Sequence, residues 1–152
     1  MNEAALQTLL DERELRDLVQ GMPKALDGRD WDAYGALFLE DAVFDFNGMD
    51  ERAGREAITD GPKSDLSPFF EATYHHMGQI YYDIDGDEAK VTAYCVAYHL
   101  PKAKGYKDHA DVGGMYHVTA KRTPDGWRFA RVRLELRLSW GTIPFFALPS
   151  AE

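Results

Sequence analysis

ALDGRDWDAYGALFLEDAVFDFNG, residues 25–48, is the stretch in which helix signals give way to strand signals. The Asp-Gly pair at residues 27–28 predicts the end of a helix with a glycine cap, and Asp30 predicts the cap of a second, short helix. The alternating DAVFDF then predicts a strand, and the Asn-Gly pair at residues 47–48 predicts a turn. We therefore expect the chain to change from helix to sheet within this stretch.

The chain before this stretch has the pattern of an amphipathic helix. Its apolar residues approach helical spacing, most clearly in the later part: Leu6, Leu9, Leu10, Leu15, Leu18, Val19, Met22 and Leu26. Pro23 lies inside the pattern, and because proline has no backbone N–H, we expect a kink or a local break there.

The chain after this stretch predicts one more helix and then a sheet. Residues 54–60 indicate a third helix that extends irregularly towards Phe70. Strand patterns follow from residue 75 onward, with strands at 79–85, 88–100, 112–122 and 127–141, turns at 86–87 and 123–126, a polar loop at 101–111 and an apolar tail at 142–152. Helices followed by antiparallel strands predict an α+β domain with a pocket between sheet and helices.

The composition fits one soluble domain that covers residues 1–152. With 17 basic and 26 acidic residues the formal net charge is −9, which argues against nucleic acid and anionic membranes as partners, because both reward clustered Lys and Arg. The acidic N-terminus lacks the long apolar core of a signal peptide or membrane span, so a cytoplasmic location is expected. Cys95, the single cysteine, lies in an alternating apolar run and is expected to be buried.

Four segments resemble the nuclear transport factor 2-like superfamily and, within it, the SnoaL-like group. They are ALDGRDWDAYGALFLEDAVF at residues 25–44, GREAI at 54–58, HHMGQIYYDIDGDEAKVTAYCVA at 75–97 and DGWRFARVRLELRLSWG at 125–141. The resemblance implies a cone-shaped α+β barrel, in which a curved antiparallel sheet is wrapped around about three N-terminal helices and encloses a cavity. It also implies a homo-oligomer, since trimers and dimers are both common in the family.

The resemblance further implies a pair of catalytic residues. Dehydratases and dehydrochlorinases of the family carry an Asp at the position of Asp27, and His75 and His76 are its candidate partners. A carboxylate that accepts from one ring nitrogen fixes the tautomer and leaves the other nitrogen able to take a proton. Neighbours in a strand point to opposite faces, so at most one of the two histidines faces the cavity. Counting back from Gln79 favours His75, whereas matching His-Met-Gly favours His76; we prefer His75.

Other side chains are candidate contacts of a substrate. Many relatives carry an aromatic residue at the position of Met22. Methionine cannot donate a proton, and Met22 lies on the apolar stripe of the first helix, so packing is favoured for it. An acid, if needed, must then come from elsewhere, and the candidates are Tyr34, Tyr94, Tyr98, Tyr116 and His117. Arg133 shares a strand face with Glu135; facing inward the pair would hold a polar group of the substrate, and facing outward, which we favour, it would be a surface or subunit contact.

Three further groups have a less favoured functional interpretation. His99 and His117 could each line the cavity, although a surface or core position is the commoner role of a histidine. Asp108, His109 and Asp111 are of types that bind metal ions, but polar loops are rich in such residues, so we predict no metal site. Proton transfer by a His–Asp pair requires no cofactor, and none is predicted.

Aromatic side chains are many for a small domain and suit a largely apolar ligand: Phe44, Phe46, Phe69, Phe70, Tyr82, Tyr94, Tyr98, Tyr116, Trp140, Phe145 and Phe146. The apolar tail could close the mouth of the cone or pack on another subunit. The sequence therefore predicts a cofactor-independent lyase that removes a small group from an aromatic or polycyclic small molecule. An isomerase or polyketide-type cyclase of the same fold, and a non-catalytic ligand-binding module, are the alternatives.

Overall fold

The computed structural model describes residues 2–102 and 109–141, which form three helices and one six-stranded sheet. The elements are α1 (Glu3–Gly28), α2 (Trp31–Gly35), β1 (Phe38–Phe46), β2 (Asp50–Ala53), α3 (Arg55–Leu66), β3 (Phe70–Asp85), β4 (Glu88–Pro101), β5 (Ala110–Thr123) and β6 (Gly126–Gly141). Most of the predicted polar loop and the whole apolar tail lie outside the described residues. Within the described part, no helix is both long and apolar enough to cross a bilayer.

The first helix is more continuous than its sequence predicts. α1 begins at Glu3, where the Asn2 side chain accepts a hydrogen bond from the backbone N–H of Ala5. The local break predicted at Pro23 is absent, and Pro23 is buried beside Met22. Burial of the apolar stripe compensates for the one backbone hydrogen bond that proline removes.

The end of α1 lies one residue beyond the predicted glycine cap. Gly28 is the last helical residue, and Arg29 takes the left-handed conformation with φ of 55°. The backbone N–H of Arg29 donates to the carbonyl groups of Ala25 and Leu26. The left-handed conformation costs a residue with a Cβ roughly 1–2 kcal/mol. Glycine would therefore cap the helix at a lower free-energy cost than arginine, so the cap alone does not explain the arginine.

The sheet is mixed, with the strand order β2-β1-β6-β5-β4-β3. The prediction of a wholly antiparallel sheet is wrong for one pair of strands, because β1 and β6 pair in parallel. The chain passes through β2, α3, β3, β4 and β5 between these two strands. No hairpin therefore connects β1 to β6 and sets their relative direction. The curved sheet is open at its ends and lies against the helices as a cone-like layer, which confirms the α+β fold class.

One short strand escaped prediction, and two local signals are confirmed. β2 pairs with β1 across the predicted turn at residues 47–48, where both residues have positive φ. Three of its four residues are charged and the fourth is Ala53; most are exposed, so the strand lacks the apolar alternation by which strands are recognised. Asp30 caps α2 as predicted, accepting from the backbone N–H of Ala33 at 3.0 Å.

The start of β3 decides the geometry of the site. β3 begins at Phe70, several residues before the predicted strand, so residues 73–79 are already strand. Its partner β4 buries Cys95 and Ala97 against the helices, and His75 lies directly opposite Ala97. His75 therefore shares the inner face, and His76 faces outward. Cys95 is buried as expected, and its burial raises the pKa of the thiol to about 12.

Candidate active site

The end of α1 and the inner face of β3 bring Asp27 and His75 into direct contact. His75 Nδ1 lies 2.7 Å from Asp27 Oδ1, and the backbone N–H of His75 donates to Asp27 Oδ2 at 2.8 Å. The His75 side chain is 8% exposed and that of Asp27 is 24% exposed. The two residues are 48 positions apart in sequence, so the contact depends on helix and strand being placed correctly.

Three hydrogen bonds to Asp27 keep its carboxyl group ionised. Burial by itself raises the pKa of this carboxyl group, but the hydrogen bonds from the ring and backbone of His75 and from the Thr73 hydroxyl bring the pKa below its usual value. A carboxylate can only accept, so we assign the ring hydrogen of His75 to Nδ1. Nε2 then carries the lone pair and is the atom that can act as a base.

His75 lies in the wall of a cavity of about 460 Å³. Most of the wall is apolar, with Phe44, Phe46, Ile58, Leu66, Ala97 and Leu134 among its members. Met49 and Phe69 also line it and are strongly exposed, which places the mouth between the β1–β2 turn and the end of α3. Arg52 is the single Arg or Lys among the described lining residues, and it is bound by Asp50 at 2.7 Å and Asp65 at 2.9 Å.

A second histidine, His99, lies in the same wall. It is 3% exposed, and its ring centroid is 5.5 Å from that of His75 with the two planes at 87°. His99 Nδ1 donates to the carbonyl oxygen of Ala110 at 2.6 Å. Burial, reinforced by the positive charge that His75 can carry, lowers the pKa of His99 to about 4, so this ring is neutral at neutral pH. The sequence signal for its position is that His99 has the same strand parity as Cys95 and Ala97.

His99 gives a pH-dependent stability that can be measured. Its folded-state pKa of about 4 lies below the ordinary value of about 6.5, so the unfolded chain takes up the proton first as the pH falls. The contribution is complete above about pH 6.5 and is lost as the pH falls towards 4. Between pH 7 and pH 5 we expect the wild type to lose about 2 kcal/mol more of its unfolding free energy than His99→Gln. Urea unfolding of both proteins at the two pH values tests this, and equal losses would contradict it.

Of the other predicted substrate contacts, two tyrosines line the cavity. Tyr34 and Tyr116 belong to its wall and are almost completely buried, and burial raises the pKa of both hydroxyl groups. Met22 is 1% exposed and belongs to the core beside the wall. The cavity wall therefore includes two tyrosines whose hydroxyl groups resist giving up a proton.

The remaining predicted residues lie on the outer face of the sheet. His76, Tyr94 and Tyr98 are exposed there, and none of them belongs to the cavity wall. His117 Nε2 lies 2.7 Å from Glu135 Oε2, and the pKa of Glu135 is lowered by this hydrogen bond. Arg133 lies 3.7 Å from a carboxylate oxygen of Asp45. The structure thus separates these side chains from Asp27 and His75.

Two of the three residues considered as metal ligands, His109 and Asp111, belong to the described part of the chain and contact each other. His109 Nδ1 lies 2.5 Å from Asp111 Oδ2, and the other oxygen of Asp111 accepts from the backbone N–H of His99 at 3.2 Å. Asp108 lies outside the described residues. Among residues 2–102 and 109–141, no three His, Cys, Asp or Glu side chains are grouped so that they could hold a metal ion.

A curved sheet around three helices, with a largely apolar cavity between them, defines a domain of the nuclear transport factor 2-like superfamily. The chain belongs within it to the SnoaL-like domain family, which matches residues 7–133. The family resemblance seen in the sequence is thereby confirmed.

Comparison with individual proteins agrees with this assignment. The chain is 27% identical over 122 residues to an uncharacterized protein of Mycobacterium tuberculosis, covering 80% of this chain and 82% of that protein. It is similar in structure to a provisionally assigned scytalone dehydratase from Novosphingobium aromaticivorans, with a TM-score of 0.81, 22% identity and coverage of 95% and 97% of the two chains. It is also similar to a hexachlorocyclohexane dehydrochlorinase from Novosphingobium barchaimii, with a TM-score of 0.81, 15% identity and coverage of 95% and 99%. At these identities the structural likeness establishes the fold, and the chemistry must be argued from the site.

Proposed function

We propose that this protein is a cofactor-independent lyase that uses His75 as a general base and Asp27 as its partner. The observation that carries the proposal is the position of His75 in the wall of a largely apolar cavity, with its Nδ1 hydrogen-bonded to Asp27. Two of the structural neighbours, the scytalone dehydratase homologue and the dehydrochlorinase, are named for eliminations, which supports the reaction type.

The first chemical step is removal of a proton from carbon. His75 Nε2 takes a proton next to the bond that breaks, the C–H electron pair becomes the new double bond, and the leaving group departs with the electrons of its own bond. Asp27 is ionised and close to Nδ1, so it stabilises the imidazolium as that cation forms. General-base catalysis of this kind contributes about 10²- to 10⁴-fold.

The fate of the proton follows from the other groups in the wall. Tyr34 and Tyr116 have raised pKa values, and His99 is neutral, so each is a poor proton donor at neutral pH. The imidazolium of His75 is then the acid nearest to the reaction. It can protonate a departing hydroxyl group, whereas a departing halide needs no proton.

The same argument supports an isomerase or cyclase as the second candidate. If the proton held by His75 returns to another atom of the substrate, the product is an isomer or a ring and no group is lost. One base without a separate acid serves both outcomes, and the product decides between them. In both cases the apolar wall favours an aromatic or polycyclic substrate.

A substrate screen in heavy water tests the proposal. Aromatic and polycyclic β-hydroxy compounds and their halogenated counterparts are incubated with the protein, and mass spectrometry follows loss of water or halide and gain of deuterium. We expect loss of a small group from at least one compound class. Deuterium gain without loss would support the isomerase or cyclase. A panel in which several compounds bind in the cavity but none reacts or exchanges would refute a proton-transfer function.

A further inference from the structure

The Asp27–His75 pair continues outward through two more side chains. Thr73 lies two residues before His75 on the same face of β3 and is 9% exposed. Its hydroxyl group lies 2.9 Å from Asp27 Oδ1 and 2.8 Å from Arg29 Nη1. Four residues from the end of α1 and the start of β3 thus form one chain of hydrogen bonds.

Chemistry fixes the direction of this chain. A guanidinium group can only donate, so Arg29 donates to the oxygen of Thr73. The single hydroxyl hydrogen of Thr73 is then left for Asp27, and an ionised carboxylate accepts it. Arg29 polarises the hydroxyl group, the hydroxyl group donates to Oδ1, and Oδ1 is the same oxygen that accepts from His75 Nδ1.

Among the described residues, Thr73 donates the one hydrogen bond to this carboxylate that does not come from His75 itself. The other hydrogen bonds to Asp27 come from the ring and the backbone of His75. Without the Thr73 hydroxyl group, the hydrogen bonds that restrain rotation of the Asp27 side chain would come only from His75, which is the residue that Asp27 has to orient. Two donors on one oxygen define the plane of the carboxylate and thus the direction in which it meets the ring.

The conformation of Arg29 is an independent observation that points the same way. The left-handed backbone at this residue favours Gly or Asn, yet arginine occupies it. Its Nη1 donates both to the Leu26 carbonyl at 2.7 Å and to Thr73. Arg29 is a strained residue whose side chain holds the hydroxyl group that donates to Asp27, and strain of this kind is commonly retained at functional sites.

We propose that Thr73 and Arg29 are positioning residues that hold Asp27 so that His75 keeps its hydrogen on Nδ1 and presents Nε2 as the base. This inference rests on the proposed function, since it assigns support to the same site. It concerns the tautomer of His75, which exists whether or not a substrate is known.

Thr73→Val tests the hydroxyl group, since valine keeps the shape and loses the donor. Long-range nitrogen–proton NMR spectra of the histidine rings, recorded at neutral and mildly alkaline pH, report the tautomer directly. We expect Thr73→Val to show His75 as a mixture of tautomers and to lower kcat about 10-fold with a changed pH profile. His99, whose Nδ1 is held by the Ala110 carbonyl, serves as the internal reference in the same spectrum.

Two further variants separate positioning from a general role in folding. Thr73→Ser restores the hydroxyl group and should restore both the tautomer and kcat. Arg29→Asn keeps a residue that tolerates the left-handed conformation but removes the guanidinium, and should lower kcat about threefold. The inference is overturned if Thr73→Val keeps the wild-type tautomer and pH profile, or if Thr73→Ser is as damaged as Thr73→Val. If the tautomer changes as expected while the wild type catalyses no proton transfer, positioning stands and the proposed lyase function fails.

Discussion

His75→Gln is expected to lower kcat for the elimination by about 10²- to 10⁴-fold, while His76→Gln leaves kcat within about twofold of the wild type. Glutamine can hydrogen-bond to Asp27 but has no basic nitrogen, so the first variant loses the proton acceptor and keeps much of the packing. His76 is exposed on the opposite face of β3. Steady-state kinetics of both variants, with far-UV circular dichroism to confirm folding, measure the difference.

The comparison is informative because the two substitutions are chemically identical and adjacent. They change the same functional group in the same strand, so a general effect on β3 would appear in both. Equal losses would mean that neither histidine is the base. A loss confined to His76→Gln would move the reaction to the outer face of the sheet, where Tyr74 and Tyr98 lie.

Strand alternation in the sequence separates the two histidines, but only the family resemblance gave a reason to prefer His75. Neighbouring residues in a strand point to opposite faces. This rule applies to His75 and His76 because β3 already begins at Phe70, so both residues lie within the strand. Which parity faces inward depends on the pairing of His75 with Ala97 in β4. That register is set by packing between residues far apart in sequence, and a local pattern carries little information about it.

Two other features depended on contacts of the same long-range kind. The parallel pairing of β1 with β6 arises only after five intervening elements have been placed, so local signals predicted antiparallel strands throughout. His99 has an inward parity in its strand, but its neutral state comes from burial and from the positive charge that His75 can carry, both of which lower its pKa. The end of α1, by contrast, was predicted to within one residue, because a helix cap depends on residues that are adjacent in the sequence.

Asp27→Asn is expected to keep the fold and to lower kcat by about 10²- to 10⁴-fold. Asp27 Oδ2 accepts from the backbone N–H of His75, which can only donate, so the single oxygen of asparagine is drawn to that place. The amide nitrogen then falls at the position of Oδ1, opposite His75 Nδ1 and the Thr73 hydroxyl group. Nδ1 must become an acceptor, the ring hydrogen moves to Nε2, and the atom that should take the substrate proton is already protonated.

Asp30→Asn is the matched control for this prediction. It removes the same charge three residues away, and asparagine caps a helix as well as aspartate does, so the N-terminus of α2 keeps its hydrogen bond to Ala33. We expect Asp30→Asn to retain wild-type kcat and the wild-type tautomer of His75. NMR of the rings should show hydrogen on Nε2 of His75 in Asp27→Asn alone. If Asp27→Asn had the same kcat as the control, the carboxylate would not set the tautomer. The role of Asp27 would then be structural, as a hydrogen-bonded link between α1 and β3.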